Sequence, residues 1–154
     1  MKKLWIIFLF IVEVYAANEA MLIGQWNNVS TGVNNGTRIT ECEFLRFNAD
    51  HTFGTVLLVT VKKGNAYMKD LRIEGTGTWK TRGNILVAVV NNIEVPVAGE
   101  VYRISQSSLE NIAVTFHNRF KNDPIRILVM KQLNRQKLVT ENEKKIFATY
   151  TRTN

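Results

Sequence analysis

Cysteine is all but missing from this chain: Cys42 is the only one among 154 residues. No intramolecular disulfide can form, so the fold must be held by its core. In a strand-like stretch with Phe44 and Leu45, Cys42 reads as a buried, inert thiol; a reactive or intermolecular thiol is the alternative. Histidine and proline are almost as scarce, at two each. His51 falls in a predicted turn and His117 near a predicted strand end. There is no His-x-x-x-His or Cys-x-x-Cys pair and no carboxylate-rich calcium loop. A Gly-x-Ser-x-Gly elbow and a phosphate-cradling glycine loop are also absent. A zinc site made from both histidines and a carboxylate has no spacing to support it. Cys42 with a distant histidine would be a nucleophile pair only by coincidence of folding. The expectation is a protein that is not an enzyme and has no metal site, no cofactor and no specific nucleic-acid partner.

Long apolar runs are lacking too, with one exception at the start. Lys2 and Lys3 precede the unbroken run Leu4 to Val12, and Val14-Tyr15-Ala16 offers small residues where a signal peptidase reads. Residues 1–16 are therefore expected to be a cleavable signal peptide, with cleavage after Ala20 as second choice. The run is shorter than the roughly 20 residues a bilayer span needs, and Glu13 ends it. The mature protein, residues 17–154, is expected to be secreted or periplasmic and not membrane-spanning. Repeats, low-complexity tracts and linkers are absent, so these residues read as one domain.

Charge is uneven. Losing Lys2, Lys3 and Glu13 leaves 18 basic and 12 acidic side chains. Residues 17–118 are balanced, and residues 119–154 carry nine basic and three acidic groups. This basic C-terminal quarter suggests an anionic partner; a solvated face is the alternative.

What the sequence does hold is alternation of apolar and polar residues between turn signals, the strand and hairpin pattern. Strands are expected over Leu22–Ser30, Arg38–Asn48, Phe53–Val61, Ala66–Thr81, Ile85–Asn91, about Val97–Ser105, Ile112–His117 and Ile125–Leu133. Asp50 is expected to accept backbone N–H bonds in the turn before Phe53. Gly75 and Gly77 interrupt the fourth strand as a bulge or bend would. Eight strands on short sequential links predict an antiparallel up-and-down β-barrel, an all-β fold. Thr140-Glu141-Asn142-Glu143 reads as a capping box, predicting a short C-terminal helix over Glu141–Tyr150. A ninth strand, Ile146–Arg152, is the alternative.

Three stretches combine into a resemblance: Gly24-Gln25-Trp26; Phe47 to Phe53 as an aromatic–turn–aromatic hairpin; and Gly77-Thr78-Trp79 followed by Gly83-Asn84-Ile85-Leu86. In this order the chain resembles small bacterial lipocalin-like (calycin) domains over most of its mature length. The resemblance implies that Gly24, Trp26 and Trp79 close one end of the barrel, with Arg126 or Arg152 packed over the Trp26 indole. These roles are structural. It also implies a bacterial source, in which the glycosylation patterns at Asn28 and Asn35 would be chance.

Glu41 and Glu43 share a strand face with Ile39 and Leu45. They either point into a cavity, receiving a cationic or hydroxylated ligand, or face solvent with Arg or Lys opposite. Phe53, Leu57, Val59 and Tyr67 are the other candidate ligand-lining residues. Strands Thr52–Lys62 and Ile85–Val90 are apolar on both faces, and the outer one must be covered by the helix, a partner or a lipid. The expected function is binding of a small apolar or amphipathic molecule in the barrel mouth. The alternative is an interaction or inhibitor module with a side-chain-filled barrel, using its basic tail on an envelope protein, a lipid phosphate or another polyanion.

Overall fold

A computed structural model describes residues 19–95 and 98–153. The expected signal peptide, residues 1–16, lies outside the described residues. Among the described residues the chain forms nine strands and one long helix. The strands are β1 (Gly24–Asn34), β2 (Thr37–Phe47), β3 (Thr52–Lys63), β4 (Ala66–Arg82), β5 (Ile85–Glu94), β6 (Glu100–Tyr102), β7 (Ile125–Leu133), β8 (Lys137–Asn142) and β9 (Phe147–Thr153). The helix α1 (Gln106–Asn122) lies between β6 and β7.

Every strand pairing is antiparallel. β1 to β5 pair in chain order, β5 pairs β7, and β7, β8 and β9 follow in order. β9 returns to β1 through Gln25↔Thr153, Trp26↔Arg152 and Asn27↔Thr151. This closes an eight-stranded barrel, which leaves no long free edge. β6 is a short addition on the start of β4. The barrel closes through residues 24–153, and Leu22, just before β1, is fully buried in it.

Local chemistry makes the hairpins. Asn35-Gly36 joins β1 to β2 with positive φ at both residues, the two-residue turn that suits strand twist. Asp50 Oδ1 accepts the Thr52 backbone N–H at 3.0 Å and its hydroxyl at 2.6 Å, as the turn chemistry predicts. At Gly77 the pairing of β4 with β5 shifts register, and a Cβ there would stand 1.7 Å from the Val89 carbonyl oxygen. Only glycine lets the two backbones approach so closely at this bend.

The eight-stranded antiparallel barrel is as expected, but three element assignments are not. The expected strand Ile112–His117 is the middle of α1. Leu109, Ile112, Phe116 and Phe120 recur at helical spacing and pack inward as one stripe, and Ser105 caps the first turn by accepting the Ser108 N–H. Most of the expected strand Val97–Ser105 is loop, with β6 its remnant; Val97 itself lies outside the described residues. The expected C-terminal helix Glu141–Tyr150 is a hairpin, the end of β8 and most of β9. Thr140 and Glu141 pair with Ala148 and Phe147. Asn142 Oδ1 accepts the N–H groups of Lys144 and Ile146, both at 2.9 Å, so the side chain builds a turn where a helix start was expected. The ninth-strand alternative matches the observed β9 closely. Residues 119–153 are therefore not a tail but three barrel strands and the end of α1.

Candidate functional site

The lumen has two apolar regions. At the closed end, Leu22, Trp26, Leu45, Phe47, Phe53, Trp79, Leu86 and Leu138 pack together, and the Tyr150 ring reaches from this cluster toward the mouth. Gly24 and Trp26 lie there as expected. Trp26 is fully buried, and its indole N–H donates to the Leu22 carbonyl at 2.8 Å. Trp79 is buried beside Phe47, rings edge to face at 5.5 Å. Of the two arginines offered for the place over Trp26, Arg152 occupies it, with its guanidinium carbon 4.3 Å from the ring centroid. Arg152 also donates to the carbonyls of Met21, Ile23 and Arg135. Gly24 has φ +132°, and a Cβ there would lie 2.3 Å from an Arg152 nitrogen. Gly24, Trp26 and Arg152 are thus one structural unit.

At the other end α1 lies across the mouth. Phe120 is buried with Leu57, Val59, Met68, Leu71 and Ile73, and Leu109, Ile112 and Phe116 pack around them. The candidate ligand-lining residues Phe53, Leu57 and Val59 do point inward, at 3%, 2% and 0% exposure, but they are core filling rather than walls of a void. Tyr67 is not in the lumen. A bulge in β4, where Asp70 has φ +53°, displaces the register by one residue, so Met68 turns inward and Tyr67 outward. On the outer surface the Tyr67 hydroxyl donates to Glu100 and its ring stacks on Tyr102.

Glu41 and Glu43 both reach inward from β2. Glu43 meets partners on β7 and β9, across the lumen: Arg126 at 2.5 Å and the Tyr150 hydroxyl at 2.8 Å. The Glu43 and Arg126 side chains are 16% and 22% exposed. Burial opposes the charged form of Glu43, but the Arg126 charge and the hydrogen bonds from Arg126 and Tyr150 outweigh it, holding the carboxyl below the usual range. Burial and the neighbouring carboxylate push the Tyr150 hydroxyl up, which keeps it a donor. The Arg126 guanidinium lies 4.9 Å from the Phe120 ring centroid, tying the ion pair to the helix. Arg126, assigned from sequence to the closed end, thus works at the opposite end. Nearer solvent, Arg119 of α1 grips both oxygens of Glu41 at 3.1–3.3 Å.

The sequence offered two readings for these carboxylates, a cavity or an arginine opposite. Both features are present: the side chains face inward, and each has its own guanidinium. That neutralisation removes the case for a cationic ligand. Above the ion pair, between α1 and the β8–β9 turn, lies a cleft of about 280 Å³. Its apolar wall is Ile125, Ile127, Leu128, Ile146 and Ala148, and its polar groups include Arg126, Thr140, Asn142, Lys144 and Tyr150. Sequence reasoning missed Arg119, Phe120, Ala148 and Tyr150 because they sit on elements it assigned wrongly. The helical stripe from Leu109 to Phe120 was the signal that could have found the first two.

Among the described residues no three His, Cys, Asp or Glu side chains come together as metal ligands would. His51 is in its turn, with Nε2 3.1 Å from Glu19 and its ring against Trp79. Cys42 is half-buried on the outer face of β2; burial, then the Asp70 charge, pushes its thiol up and keeps it protonated. No described helix is long and apolar enough to cross a membrane. No protein-family model matches the chain, and no curated protein matches it.

Proposed function

We propose that this chain is an exported, lipocalin-like protein that binds a small apolar or amphipathic molecule at the barrel mouth. The observation that carries the reading is the mouth cleft. Its volume approaches the lower end of small-molecule sites, roughly 300 Å³, and it joins an aliphatic wall to a few fixed polar groups. The Glu43–Arg126–Tyr150 cluster forms its floor and is already charge-balanced, so the ligand head is uncharged or zwitterionic. The acyl or ring portion lies against Ile125, Ile127 and Ala148. The lumen beneath is packed with side chains, so the molecule is held in the mouth and not deep in the barrel. The apolar run of residues 4–12 supports export, to the periplasm or outside the cell.

Native mass spectrometry on residues 17–154, isolated gently from the exported fraction, tests this. Extra mass that disappears on denaturation, and that is lost in Ala148→Trp, is the expected result. A clean apo mass from well-folded protein sinks the reading. It would leave the second one, an interaction or inhibitor module, which the filling of the lumen by Trp26, Phe47, Leu57, Met68 and Ile73 favours.

A further inference from the structure

We propose that the outer face of β5 and β7, extended by Phe147 of β9, docks on an anionic lipid bilayer. Alternation along β5 sends Leu86, Ala88 and Val90 into the core at 0%, 2% and 5% exposure. It therefore sends Ile85, Val87 and Val89 outward. Along β7 the outward residues are Ile125, Ile127 and Val129. The register sets these directly opposite one another: Ile85↔Val129, Val87↔Ile127 and Val89↔Ile125. Phe147 continues the row past Glu141 of β8. Ile85, Ile125, Ile127 and Phe147 remain 41%, 51%, 41% and 61% exposed. The helix α1 spends its apolar stripe on the lumen and leaves these residues exposed. A contiguous patch of branched aliphatics and an aromatic on a sheet wall marks an interaction surface.

The rim says which kind. On the β4 side, exposed Lys80 lies opposite Val87 and exposed Arg82 opposite Ile85. On the β8 side, the single carboxylate within the rows, Glu141, is held by Lys131 at 2.8 Å and Lys145 at 2.9 Å. Two lysines on one acid leave that flank positive as well. Four cations against one acid, a net charge of three positive, make a surface that repels a second copy of itself face to face and suits an anionic one. Apolar side chains entering between lipid head groups, with lysine and arginine reaching the phosphates, match both features together. Ile125 and Ile127 belong to this face and to the cleft wall, so docking would turn the cleft toward the bilayer. The inference stands independently of the small-molecule reading.

Co-sedimentation of residues 17–154 with vesicles provides the test, using phosphatidylcholine alone and phosphatidylcholine mixed with phosphatidylglycerol. Sedimentation with the mixed vesicles only, weakening as salt rises, is expected. Each surface cation removed should weaken binding about fivefold, so Lys80→Gln with Arg82→Gln should lower it about 30-fold. Ile85→Ser with Phe147→Ser should lower it on the order of tenfold or more. Neither pair lines the cleft, so both variants keep the wild-type melting temperature and any mass bound in the mouth. Absence of sedimentation with phosphatidylglycerol overturns the proposal, as does binding that neither pair of substitutions changes. A dimer in sedimentation velocity that Ile85→Ser with Phe147→Ser dissolves would assign the face to a second copy and overturn it too.

Discussion

Two ion pairs sit within a few residues of each other on β2, and they should differ several-fold in energetic weight. Glu43 and Arg126 are 2.5 Å apart with side chains 16% and 22% exposed, whereas Glu41 and Arg119 are 25% and 52% exposed. Removing one member of a buried pair strands the other charge away from water, which costs roughly 3–5 kcal/mol. The residual exposure of Glu43 and Arg126 lets water reach the stranded group, so the lower end, about 3 kcal/mol, applies to Glu43→Leu or Arg126→Met. The double variant Glu43→Leu with Arg126→Met replaces the pair with apolar groups against Phe120 and should recover most of that loss. With about 3 kcal/mol lost in each single variant and at most about 1.5 kcal/mol in the double, a coupling of about 4 kcal/mol or more between the two positions follows. Glu41→Gln, at the exposed pair, should cost less than about 1 kcal/mol. Urea unfolding followed through the fluorescence of Trp26 and Trp79, both at the closed end, reads these differences far from the substitutions. Additive losses in the double variant would refute the argument, because they would mean that neither charge depends on the other for its solvation.

The same pair sets an acid limit. Glu43 has its folded pKa lowered from 4.5, so its contribution is full above the unfolded value and is lost as pH falls through the lower folded value. Wild-type stability should drop below about pH 4.5, and Glu43→Gln should drop less steeply there. Tyr150 works in the opposite direction. Its folded pKa is raised from 10.0, so its contribution holds below that value and is lost only above it, as the hydroxyl ionises next to Glu43. Thermal melts across pH 2 to 6 should therefore separate Glu43→Gln from wild type, while Tyr150→Phe keeps the wild-type slope in that range.

Three further substitutions probe the frame. Gly24→Ala forces a strained φ of +132° and drives its Cβ into Arg152, which cannot swing away without losing three carbonyl acceptors; a loss of roughly 2–4 kcal/mol in chemical denaturation is expected. An unchanged midpoint would show that the guanidinium moves freely. Phe120→Ala should remove roughly 3 kcal/mol and raise amide hydrogen exchange along α1 before that of the barrel strands, since this ring is the helix's fully buried anchor. Thr55 is 3% exposed and its hydroxyl finds no partner among the described residues, so Thr55→Val, of equal shape, should raise stability by about 1 kcal/mol; a destabilised variant would mean the hydroxyl is bonded after all.

The frame was legible from sequence because its signals are local. The turn Asp50-Thr52 and the glycine bend at Gly77 are written in neighbouring residues, and strands β2 to β5 follow almost in place, whereas β1 runs four residues past its expected end at Ser30, to Asn34. The mouth was not legible, for a physical reason. In Ile112 to His117, β-branched and aromatic residues alternate well enough to read as a strand, and only the longer series Leu109, Ile112, Phe116, Phe120 reveals the helical period. In Thr140 to Glu143, the same residue types that cap a helix can close a hairpin, and the choice fell to Asn142, whose side chain reaches two backbone N–H groups at once.

The consequence reaches the site directly. Glu43 could be singled out from spacing along β2, but its partners Arg126 and Tyr150 come from β7 and β9, brought across the lumen by closure of the barrel. No pattern within one strand specifies that meeting. The basic excess of residues 119–154 carries the same lesson. Read as sequence, it is a tail awaiting an anion. In the fold, five of its nine cations are engaged by the protein itself: Arg119 with Glu41, Arg126 with Glu43, Lys131 and Lys145 with Glu141, and Arg152 over Trp26. Net charge alone thus overstates what these residues offer a partner. What remains for one is set by where the exposed cations stand, and Lys80 and Arg82, from the electrically balanced part of the chain, stand closest to the exposed aliphatic rows of β5 and β7.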